Sequence, residues 1–197
     1  AHLRACVAHE GDLCVAQVAL RLAAEQVRDR PSPEHWTLIE RADTEFARDC
    51  LVMASDAEYA PAEAMAALQK ASELLAAITG AQTDRMVRDS GWRLLSIGRH
   101  IERLITLSRA LALALEHHSL DDAGGFEAVV ALFDSTITFH AMYQQRRDMV
   151  ALVDLLVMDR DNPRSLAWVV QTLSARLSTL ALSATARDAE LAQELPD

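Results

Sequence analysis

Gly91–Leu111 reads GWRLLSIGRHIERLITLSRAL, and this stretch decides the fold. It has no glycine pair, no proline and no period-two alternation. Its apolar residues recur at helical spacing. At about 100° per residue, Leu94, Ile97, Gly98, Ile101, Leu104, Ile105, Ser108, Leu111, Ala112 and Leu115 form one broad arc, the expected core face. Gly98 lies within it and is expected to let a neighbouring helix approach closely. Arg93, Arg99, His100, Glu102 and Arg103 crowd the first half of the segment. Glu102 falls just outside the arc. Two readings of the charges stand side by side. One is a border salt bridge, with Arg99 pairing Glu102 one turn away and fixing helix register. The other is an Arg/Glu-lined groove for a phosphate or carboxylate, built from Arg93, Arg99, Glu102 and Arg103.

The rest of the chain has the same helical character. Among 197 residues, 51% are apolar and 24% charged, with six glycines and five prolines. That composition suits one globular domain over residues 1–197. "RPSPEHW" (Arg30–Trp36) stops one helix, roughly Leu3–Arg28 and breakable at Gly11, and starts another. Ser32 is its expected cap and Pro33 its first residue, where a missing N–H costs nothing. That second helix runs to about Ser55. After the connector Ser55–Pro61, a third runs to about Ile78, with an interruption at "TGAQTD" (Thr79–Asp84). Asp89 or Ser90 caps the long helix that ends near His118. "SLDDAGG" (Ser119–Gly125) reads as a loop, and a fifth helix runs from Phe126 to Arg147, continuing with a bend to Met158. "DRDNPRS" (Asp159–Ser165) is a turn, and a last helix covers about Pro163–Leu191, capped by Asn162 or Asp161. The expected architecture is all-α, an elongated up-and-down bundle of about six helices.

Charge is unevenly distributed. The net charge is -10, which argues against nucleic acid as a partner. Yet residues 85–109 hold six arginines against Asp89 and Glu102, a net of +4, while residues 1–84 and 110–197 are each -7. Of the 19 basic residues only Lys70 is lysine. Two further anion candidates are the turn "MDRDNPRSLAW" (Met158–Trp168), where Arg164 and Ser165 add donors to a helix N-terminus, and "YQQRR" (Tyr143–Arg147). Simple capping and solvation are the plainer readings of both.

Several chemistries lack their residues. No glutamate stands three residues before a histidine, and HExxH is absent, so no metal is expected. There is no P-loop, GxGxxG or GxSxG, and no cofactor is expected. Cys6, Cys14 and Cys50 are odd in number and lack a CxxC, which fits a reducing cytoplasm. No apolar run is long enough to span a bilayer.

Three stretches together resemble the alpha-E family, a bacterial helical domain of unknown function with a Glu-Arg motif. "RDSGWRLLSIGRHIERLITLSRAL" (Arg88–Leu111) is similar to its signature helix through Arg88, Asp89, Gly91, Trp92, Arg93, Leu95, Gly98, Arg99, Glu102 and Arg103. "VRDRPSPEHW" (Val27–Trp36) and "LLVMDRDNPRSLAWVVQTL" (Leu155–Leu173) are similar to two of its connectors. Leu104 replaces the family's usual alanine. The resemblance covers the family's C-terminal two-thirds, so an earlier Glu-Arg helix is expected to precede Ala1. "LIERADTEF" (Leu38–Phe46) is spaced differently from Trp36 and is set aside. The resemblance implies association with circularly permuted ATP-grasp ligases, fused or neighbouring, and with transglutaminase-like proteins. The expectation is a non-catalytic partner domain in peptide synthesis or tagging, with Arg93, Arg99, Glu102, Arg103 and Arg164 holding an anionic substrate. The rivals are an enzyme acting on amide bonds with Glu102 as general base, and a homodimeric scaffold.

Overall fold

Helix ends in this chain are set by short polar side chains rather than by long loops. The computed structural model describes residues 12–55, 61–144 and 146–194, with side chains described over 13–53, 61–144 and 146–183. Cys6, Gly11 and most of the Ser55–Pro61 connector lie outside them. Eight α-helices and one π-helical turn are present among the described residues, and no strand. The all-α reading is correct. The chain forms two compact units that divide between Val87 and Arg88.

The first unit holds α1 (Asp12–Glu25), α2 (Pro33–Ser55) and α3 (Pro61–Asp84). Ser32 caps α2, its Oγ accepting from the His35 N–H at 3.2 Å. Cross-contacts run in opposite directions along α1 and α2. Cys14 meets Cys50 with sulfurs 3.4 Å apart, while Arg21 meets Asp43 at 2.6 Å. The pair is therefore antiparallel. Both sulfurs are free thiols, and burial pushes the Cys50 thiol up to about 12. Alanine makes the α2–α3 contact close: Ala64, Ala67 and Ala71 pack against Phe46 and Cys50, with Leu74 and Ile78 against Ile39 and Ala42. The expected interruption at Thr79–Asp84 does not occur. Ala81 and Gln82 are buried, and that packing carries α3 through Gly80.

The second unit begins with α4 (Ser90–Glu116), capped by Asp89, whose carboxylate accepts from the Trp92 N–H at 2.9 Å. α5 (Ala123–Leu132) starts inside the expected loop, because Asp122 caps it through the Gly125 N–H. Gly125 has no room for a side chain: a Cβ there would stand 2.0 Å from the Ser119 carbonyl oxygen. The long fifth helix of the sequence reading is three pieces. It stops at Asp134, whose φ of 50° is left-handed, with the Ser135 N–H returning to the Val130 carbonyl at 3.1 Å. α6 (Thr136–Tyr143) stops at Gln144, with φ 55°. α7 (Met149–Val153), capped by Asp148, continues into the π-turn Asp154–Met158. Aspartate tolerates the left-handed region, so a helical sequence can still break there.

The last helix, α8 (Leu166–Glu194), opens three residues later than expected. Its cap is Ser165, which accepts from the Trp168 N–H at 3.1 Å. Asn162 instead ties the turn together. Its side chain donates to the Leu155 carbonyl at 3.1 Å and accepts from the Arg164 N–H at 3.0 Å. Leu152, Leu155, Leu156 and Phe133 form the fully buried centre, joined by Phe126, Phe139 and Leu107.

The face that α4 buries is not the apolar arc. Leu94, Ile101, Ile105 and Leu115 are 57%, 41%, 40% and 47% exposed. Ile97 and Leu111, at one border of the arc, are buried. A Cβ on Gly98 would meet nothing within 4 Å, so no helix among the described residues approaches closely there. The glycine then costs helix stability without a packing return. Gly98→Ala is expected to raise unfolding stability by about 0.5–1 kcal/mol in urea titration. A loss instead would mean that this face is covered.

Candidate functional site

α4 and α8 are antiparallel, and their contacts lie roughly four-tenths of a turn round from the centre of the apolar arc. Trp92 and Arg176 meet near one end, with the guanidinium 4.6 Å from the ring centre. His100 stacks on Trp168 in the middle, with centroids 5.9 Å apart. Arg103 and Arg164 come within electrostatic reach at the other end. The inward row of α4 is thus Trp92, Ser96, Arg99, His100, Arg103 and Leu107. Long arginine stems and flat rings do the packing that leucines do in an ordinary bundle.

Among the described residues this seam is basic and lacks acids. Arg99, Arg103 and Arg176 are half-buried. No ion pair or hydrogen bond joins any of their guanidinium groups to a described residue. Burial is the main force holding all three below the ordinary arginine range, and like charges add to it at two of them. Arg164 and Arg99 act on Arg103, while Arg88 and Arg99 act on Arg176. They nevertheless stay charged, because arginine does not deprotonate in proteins. The Nε of Arg176 is buried without a partner. His100 is held neutral chiefly by burial and further by Arg176, Arg103 and Arg99.

Next to the seam, an open groove of about 560 Å³ runs between the start of α4 and the first turns of α8. Trp92, Arg93, Arg160, Trp168 and Arg176 line it, with Gln171 and Thr172 as neutral hydrogen-bonding groups and Asp161 as its one acid. Arg176 and Trp168 belong to both groove and seam.

Each sequence-predicted residue now has a place. Arg93 lies on the groove, and Arg99 and Arg103 lie in the seam. Arg164 stands beside Arg103, but its guanidinium is occupied by Asp134 at 2.6 Å. Glu102 is exposed, about 60° from Arg99 and about 100° from Arg103 by helical rotation. It forms no salt bridge with Arg99 although the two are one turn apart, so the register-lock reading is corrected: the Arg99 guanidinium is half-buried in the seam while the Glu102 carboxylate stands in solvent. The "YQQRR" segment is also self-satisfied. Tyr143 donates to Asp154, Arg146 pairs with Asp148, and Arg147 pairs with Glu127. Asp154 raises the Tyr143 hydroxyl to about 12. Among the described residues no group of three or more His, Cys, Asp or Glu side chains could hold a metal ion.

Two residues of the site went unread in sequence. His100 was counted among the charges but given no role. Arg176 is the single charged residue between Leu166 and Ser183, and a lone charge in an otherwise uncharged stretch is the signal that marks it.

The sequence profile of the Alpha-E family, "a predicted alpha-helical domain with a conserved ER motif", matches residues 9–196. An uncharacterized protein of Mycobacterium tuberculosis, Rv2567, is 30% identical over 176 residues, covering 86% of this chain. An uncharacterized protein of Mycobacterium bovis, Mb2597, is similar to the same degree. The chain spans 19% of the length of each. No solved structure matches it.

The seam's electrostatics give a stability signature. Arg103→Met keeps the apolar stem and removes a half-buried charge beside two others. It is expected to stabilise the second unit by about 1 kcal/mol, seen as about 2–4 °C in the melting temperature. The gain should shrink in high salt, which already screens the repulsion. Glu102→Ala should change stability by less than about 0.5 kcal/mol. Destabilisation by Arg103→Met at every ionic strength would show that the arginine is paired.

Proposed function

The chain belongs to the Alpha-E family, and from that premise we propose that it is a non-catalytic partner domain of an ATP-grasp amide-ligase system for peptide synthesis or tagging. Its part is to hold an anionic group of the substrate between α4 and α8. One observation carries this reading. Arg99, Arg103 and Arg176 are half-buried, with Arg99 close enough to repel each of the other two, yet no carboxylate among the described residues pairs with them. The chain has 29 acidic residues from which a partner could have been placed. Concentrating unpaired cations costs stability, and proteins keep such costs where a site needs them. Guanidinium groups bind carboxylate or phosphate oxygens through paired N–H donors, so a bound anion would supply the missing counter-charge.

Amide chemistry with Glu102 as general base gains no support from the geometry. The carboxylate lines neither the groove nor the seam. It stands in solvent on the outer face of α4. A cytoplasmic setting belongs to the same proposal. Among the described residues no helix is long and apolar enough to cross a membrane.

The partnership is tested with the ATP-grasp protein encoded nearest to this chain. The two should co-migrate on a sizing column, and adding the chain should increase ADP release by the ligase. The double variant Arg99→Ala/Arg176→Ala should keep the complex and raise the substrate KM about tenfold or more, with kcat less affected. Separate elution, or ADP release indifferent to the chain, would overturn the partnership.

A further inference from the structure

The seam contains two bare polar atoms of opposite kind. The His100 Nδ1 lies 2.6 Å from the Ser96 carbonyl oxygen. A carbonyl only accepts, so Nδ1 carries the hydrogen and Nε2 presents a lone pair. That Nε2 is buried and has no hydrogen-bond partner among the described residues. Around it stand Arg99, Arg103 and Arg176, which are donors only and disfavour any second proton on the ring. Ser96 faces the ring from the same helix, and Trp168 covers it from α8. The other bare atom is the Nε–H of Arg176, a donor without an acceptor.

A ligand that satisfies both must bring anionic oxygens and a hydrogen-bond donor together. A carboxylate near neutral pH has only acceptors. So does sulfate, and so does a phosphate monoester well above its second pKa of about 6. Inorganic phosphate at the same pH is chiefly a dianion that keeps one O–H. We infer that the α4–α8 seam is a site for inorganic hydrogen phosphate, with the His100 Nε2 accepting the phosphate O–H while Arg176, Arg99 and Arg103 take its anionic oxygens. Two negative charges suit three clustered guanidiniums better than one. His100 then acts as the specificity-determining residue, rejecting anions of equal shape and charge that lack the proton. The inference rests on reading the seam as an anion site, and it names which anion.

Isothermal titration calorimetry of the whole chain at about pH 8 tests it with four probes: inorganic phosphate, sulfate, methyl phosphate and bicarbonate. Inorganic phosphate should bind about tenfold or more tighter than sulfate or methyl phosphate, since those leave a buried acceptor unmet. Bicarbonate keeps an O–H but only one charge, and should also bind more weakly. Lowering the pH to about 5.5 should narrow the preference over sulfate, because phosphate then becomes chiefly a monoanion. His100→Gln can offer an amide N–H, and should bring sulfate level with phosphate at pH 8 if circular dichroism shows the fold intact. The wild-type comparison stands without the variant. Equal binding of phosphate and sulfate at pH 8, both lost in Arg176→Ala, would overturn the phosphate assignment and leave the anion site standing. Tighter binding of bicarbonate would overturn it too. Failure of all four probes to bind at millimolar concentration would overturn both this inference and the seam as an anion site.

Discussion

Like charges held together along the α4–α8 contact are the constraint on which the second unit depends. The contact is made with Trp92, Ser96, Arg99, His100 and Arg103 facing Trp168 and Arg176. Guanidinium stems and indoles are wide and flat, so they cannot interlock as tightly as branched aliphatic chains. The open groove between Trp92 and Trp168 is the consequence, and its walls are basic for the same reason. The tight core lies elsewhere, where Leu152, Leu155 and Leu156 from the π-turn region meet Leu107, Leu111 and Phe133. Rigidity and the site are therefore supplied by different parts of α4: Leu107 anchors it one turn after Arg103.

The first unit shows what ordinary charge pairing looks like in this chain. Arg21 bonds to Asp43 and Glu25, and Lys70 reaches Glu45 and Asp49. Arg41 and Lys70 together hold the Glu45 carboxyl at about 2. Each of those cations has an acid one helical turn away or directly across a helix contact. Arg103 and Arg176 have neither, and Arg99 has Glu102 one turn on without an ion pair to it. Their isolation is thus a local property of α4 and α8 and not a shortage of acid in a chain of net charge -10.

The helix starts were legible because their signals are short and chemical. Ser32 with Pro33, and Asp89 before Trp92, announce α2 and α4 in sequence and perform the same role in three dimensions. The breaks at Asp134 and Gln144 were not legible. Both lie within residues of good helical periodicity, and what stops the helix is a left-handed backbone angle favoured by the packing of Phe133 and Ser135. The buried face of α4 was misread for a related reason. Periodicity counts apolar residues, whereas this face is packed by arginine stems, a histidine and two tryptophans. The basic island gave Arg93, Arg99 and Arg103 directly. Arg176 completes the cluster from more than seventy residues away, and no local spacing could have joined it to them.

The Glu-Arg dipeptide takes on a different meaning once its two side chains are placed. Glu102 and Arg103 are one residue apart, hence about 100° apart on the helix, and they do not form a pair. Arg103 turns inward to the seam. Glu102 turns outward, beside Ile101 and Ile105, which are themselves exposed. The chain's other such dipeptide is divided as well, since Arg41 pairs with Glu45 one turn on and not with its neighbour Glu40. A motif whose halves face different surroundings answers two separate demands, and removing one half should not reproduce the loss of the other. On the proposed function, the arginine belongs to anion capture between the helices, and the glutamate belongs to whatever meets the outer surface of α4. A salt-bridge lock would require the reverse, two side chains that fail together.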